Sequence, residues 1–151
     1  MPRKKTQPSS QGPGVLAAKK KALRCAKLAI EKKAYGTRVL NVGTLSSIAE
    51  YFVICSGRST RQTRAISDHI KAALKEKERQ IPLGVEGTQE GVWILLDYDD
   101  VVVHVFYEPT RAHYALETIW SDAPVVRDRA LAKAEREALS AKGEEERDWE
   151  D

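Results

Sequence analysis

Tyr51-Phe52-Val53-Ile54-Cys55 is an unbroken apolar run closed by Ser56-Gly57. A strand with one wet face would alternate apolar and polar side chains, so a continuous run implies a strand covered on both sides. Such a strand sits centrally in its sheet and needs packing on each face. In a chain of 151 residues the simplest answer is one α/β domain, with a mixed sheet flanked by helices.

The flanking pattern supplies the layers. Over residues 15–34, Ala22, Cys25, Ala26, Ala29 and Ile30 recur on one face and lysines fill the others, which predicts an amphipathic helix that stops near Gly36. Val39, Leu40 and Val42 form a short strand between Gly36 and Gly43. A second helix is expected over residues 60–77, with Ser59 and Thr60 as N-cap candidates and Ile66, Ile70, Ala73 and Leu74 on its stripe. Residues 81–87, rich in proline and glycine, read as a connecting loop. Two β-prone runs, residues 92–96 and 101–107, flank Asp97-Tyr98-Asp99-Asp100 and predict an antiparallel hairpin. After Pro109, the spacing of Ala112, Leu116, Ile119 and Trp120 predicts a third helix, ended by Asp122-Ala123-Pro124. The expected order is helix, strand, strand, helix, strand, strand, helix.

Both ends differ from this middle. Residues 1–14, with three prolines and two glycines, cannot bury enough apolar surface to offset ordering entropy and are expected to form a disordered basic arm. Residues 15–125 form the domain, and residues 126–151 a charged extension, helical or mobile, whose apolar positions are too sparse to demand packing. The formal charge of +3 is unevenly spread. Residues 1–33 carry ten Lys/Arg and one acid, Glu31; residues 34–125 carry nine against twelve, and residues 126–151 six against nine. A basic arm of this kind either seeks RNA phosphates or merely solubilises the chain.

No apolar stretch approaches the roughly 18 residues of a membrane span, and the polar N-terminus lacks the core of a secretion signal. The start is basic and free of acids, as a transit peptide would be, but shows no amphipathic arginine pattern. A cytoplasmic protein is expected. Cys25 and Cys55 have no partner pair or histidine cluster nearby and read as small buried hydrophobes.

Three constellations could carry chemistry. Residues 56–60 join a buried strand to a helix N-terminus, where free amides and Arg58, Ser59 and Arg61 could contact an anion; a tight strand-to-helix turn explains the same glycine, and the full phosphate-loop spacing is absent. Asp97 and Asp99 form an acid-x-acid pair of the kind that holds magnesium in nucleotidyl-transferring enzymes, although a hairpin tip needs short polar residues for steric reasons alone. His104 shares a strand face with Val102 and Phe106, and no two of the three histidines are spaced as metal ligands. No catalytic nucleophile, metal site or cofactor is expected. Trp93 alternates with Val92 and Ile94, so it is either an exposed anchor or part of a second buried face.

A likeness now emerges. Glu50-Tyr51-Phe52-Val53-Ile54-Cys55-Ser56-Gly57 with Ser59-Thr60-Arg61, Pro82-Leu83-Gly84-Val85-Glu86-Gly87, the stretch from Trp93 to Phe106, and Trp120-Ser121-Asp122-Ala123-Pro124 resemble, in order, the motifs of the ribosomal silencing factor (Iojap) family. They cover roughly residues 20–125. Glu50 stands where the family usually has aspartate, and Asp99 where its hairpin usually has glycine. The resemblance implies a nucleotidyltransferase-like fold without that activity. It also implies a protein that binds the large ribosomal subunit through ribosomal protein uL14, keeps the small subunit from joining, and so represses translation. On that reading Trp93 and Tyr98 act as aromatic anchors, Asp97, Asp99 and Asp100 face a basic partner, His104 lies within the same surface, and Arg111 orients its edge. Outside the likeness, the charge of the basic arm makes it a candidate contact for rRNA, and an exposed apolar sheet face could support a homodimer when the partner is absent. A magnesium-dependent nucleotidyltransferase-like enzyme is the alternative.

Overall fold

The computed structural model describes residues 17–150, with side chains to residue 140. The arm at residues 1–14, and its expected RNA contact, lie outside them. The elements are α1 (Ala18–Glu31), β1 (Tyr35–Asn41), β2 (Tyr51–Gly57), α2 (Thr60–Glu78), β3 (Gly84–Glu86), β4 (Trp93–Asp97), β5 (Val101–Tyr107), α3 (Glu108–Tyr114), α4 (Leu116–Ile119) and α5 (Arg129–Glu150). The strands form one mixed sheet in the order β1-β2-β5-β4-β3. Only β2 and β5 run parallel. The run from Tyr51 is therefore internal, as its continuous apolarity requires, and β5 beside it is buried along six of its seven residues.

The two sheet faces are covered very differently. On one, Val39, Val53, Cys55, Ile94, Leu96, Val103 and Val105 meet α1 and α2. Leu28 and Ile30 from α1 and Ile66, Ile70 and Leu74 from α2 are fully or nearly fully buried there, each contributing about 1.5–3 kcal/mol. Cys25 and Cys55 lie in this core as free thiols, and burial pushes both up to about 12. On the other face Leu40, Phe52, Ile54, Val102 and Phe106 are covered by the chain around Leu116, Trp120 and Ala123.

Several boundaries differ from expectation. Helix α1 ends at Glu31, with Lys33 in the left-handed region (φ 66°), rather than at Gly36. The Gln62 side chain explains the stop: its amide nitrogen donates to the exposed carbonyls of Lys32 and Lys33 at 3.2 and 3.0 Å. The stretch read as a loop contains β3, which pairs with β4 through Val85 opposite Leu96. The third helix is broken at Ala115 (φ 49°) into α3 and α4. That break turns Leu116 and Trp120 onto the sheet. Pro109 lies in the first turn of α3, where its missing N–H is harmless.

The extension is largely one helix, and it packs. Leu131 is buried, and Val126, Ala134 and Ala138 lie against the same core as α1. The chain before α5 also seals the sheet. Asn41 N–H donates to Pro124 O at 2.9 Å, Val126 N–H donates to Val39 O at 2.7 Å, and Thr37 N–H donates to the Glu135 carboxylate at 2.9 Å. The outer edge of β1 is thus closed to further strands.

Candidate functional site

Strand β4 carries the feature that distinguishes this fold's surface. Ile94 and Leu96 point into the helix-covered core and are fully buried, whereas Trp93, Leu95 and Asp97, pointing the other way, are each half-buried. The short helices cover β2 and β5, with Trp120 edge-on to Phe52 at 5.2 Å, and leave this row open. Tyr114, 51% exposed, leans on Trp93 at 4.9 Å between ring centroids, and Ile119 on α4 is 72% exposed. Glu86 on β3 stands directly opposite Leu95 and is exposed. The result is an aromatic and aliphatic strip with acids at its margin.

Trp93 is held from below. Its Nε1–H donates to His104 Nδ1 at 3.1 Å, and its ring packs on Phe106 at 4.9 Å. An indole N–H can only donate, so His104 is the neutral tautomer protonated at Nε2. Burial lowers the His104 imidazole to about 4, and its Nε2 has no partner among the described residues. His104 is therefore a buried support for Trp93 and not itself a surface contact. Gly87 (φ 84°) lets the chain cross close to the same strand; a Cβ there would lie 2.0 Å from the Trp93 carbonyl oxygen.

The hairpin tip departs from the expected surface in two places. Tyr98, expected as an anchor, is 3% exposed and belongs to the helix-side core. Asp100, expected to face a partner, is turned inward: its carboxylate lies 2.6 Å from the Lys21 ammonium on α1. The cause is shared, since Lys21 also lies over the Tyr98 ring and donates to Gln80 Oε1 at 3.2 Å. Asp97 and Asp99 remain at the surface. Asp97 Oδ1 accepts the Asp99 N–H at 2.8 Å, and Asp99 sits at φ 75°, a conformation aspartate tolerates better than most residues.

Arg111 is not an orienting group at the open strip. It forms a bidentate pair with Glu117 at 2.9 and 2.7 Å and donates to Ser56 Oγ at 2.8 Å, clamping α3 and α4 to the end of β2. This pairing, chiefly the Arg111 hydrogen bond, holds the Glu117 carboxyl below its ordinary range. The residue 56–60 turn serves α2: Ser59 Oγ caps Gln62 N–H at 3.0 Å, and Arg58 lies over the Tyr35 ring at 5.2 Å. Arg61, the remaining expected anion contact, is exposed, and its side chain makes no hydrogen bond or ion pair among the described residues.

Leu95 joins the strip because strand alternation puts it on the same face as Trp93, whereas Glu86 and Tyr114 reach it through β3 pairing and α3 placement that no local pattern announces as contacts. Among the described residues no group of three His, Cys, Asp or Glu could hold a metal ion, and no helix is long and apolar enough to cross a membrane.

The class so defined is a single-domain α/β protein with one sheet face sealed by long helices and an open strip on the other. Comparison with known proteins places it further. The family described as "Ribosomal silencing factor during starvation" matches residues 16–150, so the match includes α5. A ribosomal silencing factor of Halalkalibacterium halodurans is 43% identical over 96 residues, 64% of this chain and 81% of that protein. The chloroplastic Iojap protein of Zea mays is 36% identical over 102 residues, 68% of this chain and 44% of that protein. A crystal structure from Bacillus halodurans superposes with a TM-score of 0.63 at 35% identity, over 72% of this chain and 99% of the other. The chain belongs to the ribosomal silencing factor family.

Proposed function

We propose that this protein silences translation by binding the large ribosomal subunit through ribosomal protein uL14, where it stands in the way of the small subunit. Family membership supports the ribosomal role. The observation that carries the site is the half-exposed row Trp93, Leu95 and Asp97 on β4, beside the covered central strands β2 and β5. Trp93 and Leu95, with Tyr114 leaning on Trp93, supply the apolar centre that dominates binding energy in stable interfaces. Glu86, Asp97 and Asp99 supply a negative rim suited to a basic ribosomal protein. Occupying a shared surface is the whole mechanism, and no bond is made or broken. In the cytoplasm, with no ribosome engaged, the same strip is the surface on which a second copy would pair.

The alternative, magnesium-dependent nucleotidyl transfer, finds little support in the acids. The Asp97 carboxylate serves the turn and Asp100 is paired with Lys21. Calorimetry with magnesium and nucleoside triphosphates is expected to show no heat of binding.

The site is tested by pelleting purified large subunits with wild-type protein and with Leu95→Ala/Tyr114→Ala. Loss of central apolar contacts typically costs about 2 kcal/mol or more, so the variant should bind roughly 30-fold more weakly. Undiminished binding by a folded variant removes the assignment.

A further inference from the structure

Two adjoining grooves flank the first turn of α5. The larger, about 670 Å³, lies between β1 and α5 and is lined by Arg38, Arg127 and Arg129. The smaller, about 320 Å³, lies between α1 and α5 and is lined by Lys20 and Lys27. Asp128 and Leu131 border both, so the five cations form one band across the start of the helix. All five are exposed.

The acids in these walls are already engaged. Asp128 accepts the Leu131 N–H at 3.0 Å, Glu135 accepts the Thr37 N–H at 2.9 Å, and Glu78 pairs with Arg24 at 3.2 Å. Among the described residues, none of the five cations forms an ion pair with a carboxylate; the Glu117 carboxyl is held low first by Arg111 and only secondarily by the Arg38 charge. Thr37 lines the larger groove too, and its buried hydroxyl has no hydrogen-bond partner there.

Cations spread along both sides of a helix end cannot converge on one small anion. A polyanion that repeats its charge at regular intervals can meet them in turn, and guanidinium forks match phosphate oxygens. We infer that this band binds the phosphate backbone of RNA. Its biological ligand, rRNA of the large subunit, rests on the function proposed above; the RNA contact itself does not. The two surfaces are separate, since the band lies along β1 and the apolar strip along β4, with β2 and β5 between them.

The test uses full-length protein, its basic arm intact, and two probes: purified large subunits and a short mixed-sequence RNA duplex. Each lost phosphate contact reduces the log–log salt slope by about 0.7–0.9. The variant Arg38→Gln/Arg127→Gln/Arg129→Gln should lose about 2 to 3 from the slope on both probes, with an unchanged melting midpoint. Arg38→Lys/Arg127→Lys/Arg129→Lys, which keeps the charge, should retain most of it. Leu95→Ala/Tyr114→Ala should weaken subunit binding yet leave duplex binding and its slope intact, which separates this inference from the docking strip. An unchanged slope in the glutamine variant overturns the inference. So does displacement of the duplex by polyglutamate at equal charge, which would assign the band to acidic peptides.

Discussion

Replacing Lys21 by methionine should destabilise this fold more than any other single change on its charged surface, because the ammonium lies inside the packing of α1 against the hairpin tip. The Lys21 side chain is 6% exposed and reaches Asp100 at 2.6 Å and Gln80 Oε1 at 3.2 Å. Methionine keeps most of the stem and removes the charge, leaving the Asp100 carboxylate unpaired. Breaking a fully buried pair from one side costs about 3–5 kcal/mol. The Asp100 side chain is 23% exposed, so water restores part of its hydration and the expected loss is about 2–3 kcal/mol. Against a total stability of about 5–15 kcal/mol, that is large. Urea unfolding reads it directly: with a slope of about 1–3 kcal/mol per molar, the midpoint should fall by roughly 1 M. Lys21→Met/Asp100→Asn removes the orphaned charge and should recover about 1 kcal/mol or more. A loss below about 0.5 kcal/mol, or no recovery in the double variant, would refute the claim that this pair anchors the tip.

Other consequences follow from burial and backbone geometry. Because burial holds the Cys25 and Cys55 thiols up at about 12, native protein at pH 8 should resist thiol reagents, and both cysteines should label only at the rate of unfolding. His104 titrates at about 4 when folded, against an ordinary 6.5, so the unfolded chain takes up this proton first as pH falls. Its contribution, up to about 3 kcal/mol, is fully present above pH 6.5 and is lost as pH falls towards 4; His104→Phe should flatten the stability curve in that window, as measured by urea midpoints. Asp99→Gly relieves the left-handed backbone at φ 75° while leaving the Asp97 cap on the residue 99 amide, and should raise stability by about 1 kcal/mol.

The parts of this fold that are legible in sequence are those set by local pattern. The run from Tyr51 announces a doubly covered strand, and the acidic break between two β-branched runs announces the hairpin. The helical stripes of α1 and α2 are equally plain. What sequence hides are choices made between distant residues. Tyr98 sits at a hairpin tip, where exposure is the natural expectation; only Lys21, 77 positions earlier, draws it and Asp100 inward. Strand β3 has three residues and gains its identity solely from pairing with β4. Helix α5 packs mainly through alanines, which give a weak apolar signal but allow close approach to α1. Arg111 looks like a surface charge until Glu117 and Ser56 are seen on either side of it. The candidate strip was half legible, through Trp93 and Asp97, since strand alternation put them on one face. Its openness depends on how far α3 and α4 reach across the sheet, which no local pattern records.

The most direct measurement is light scattering of purified subunits mixed in the presence of this protein. Wild-type protein added to large subunits should suppress formation of the joined ribosome in proportion to its occupancy, and Leu95→Ala/Tyr114→Ala should need roughly 30-fold more protein for the same suppression. Normal joining at saturating occupancy of the large subunit would contradict the account.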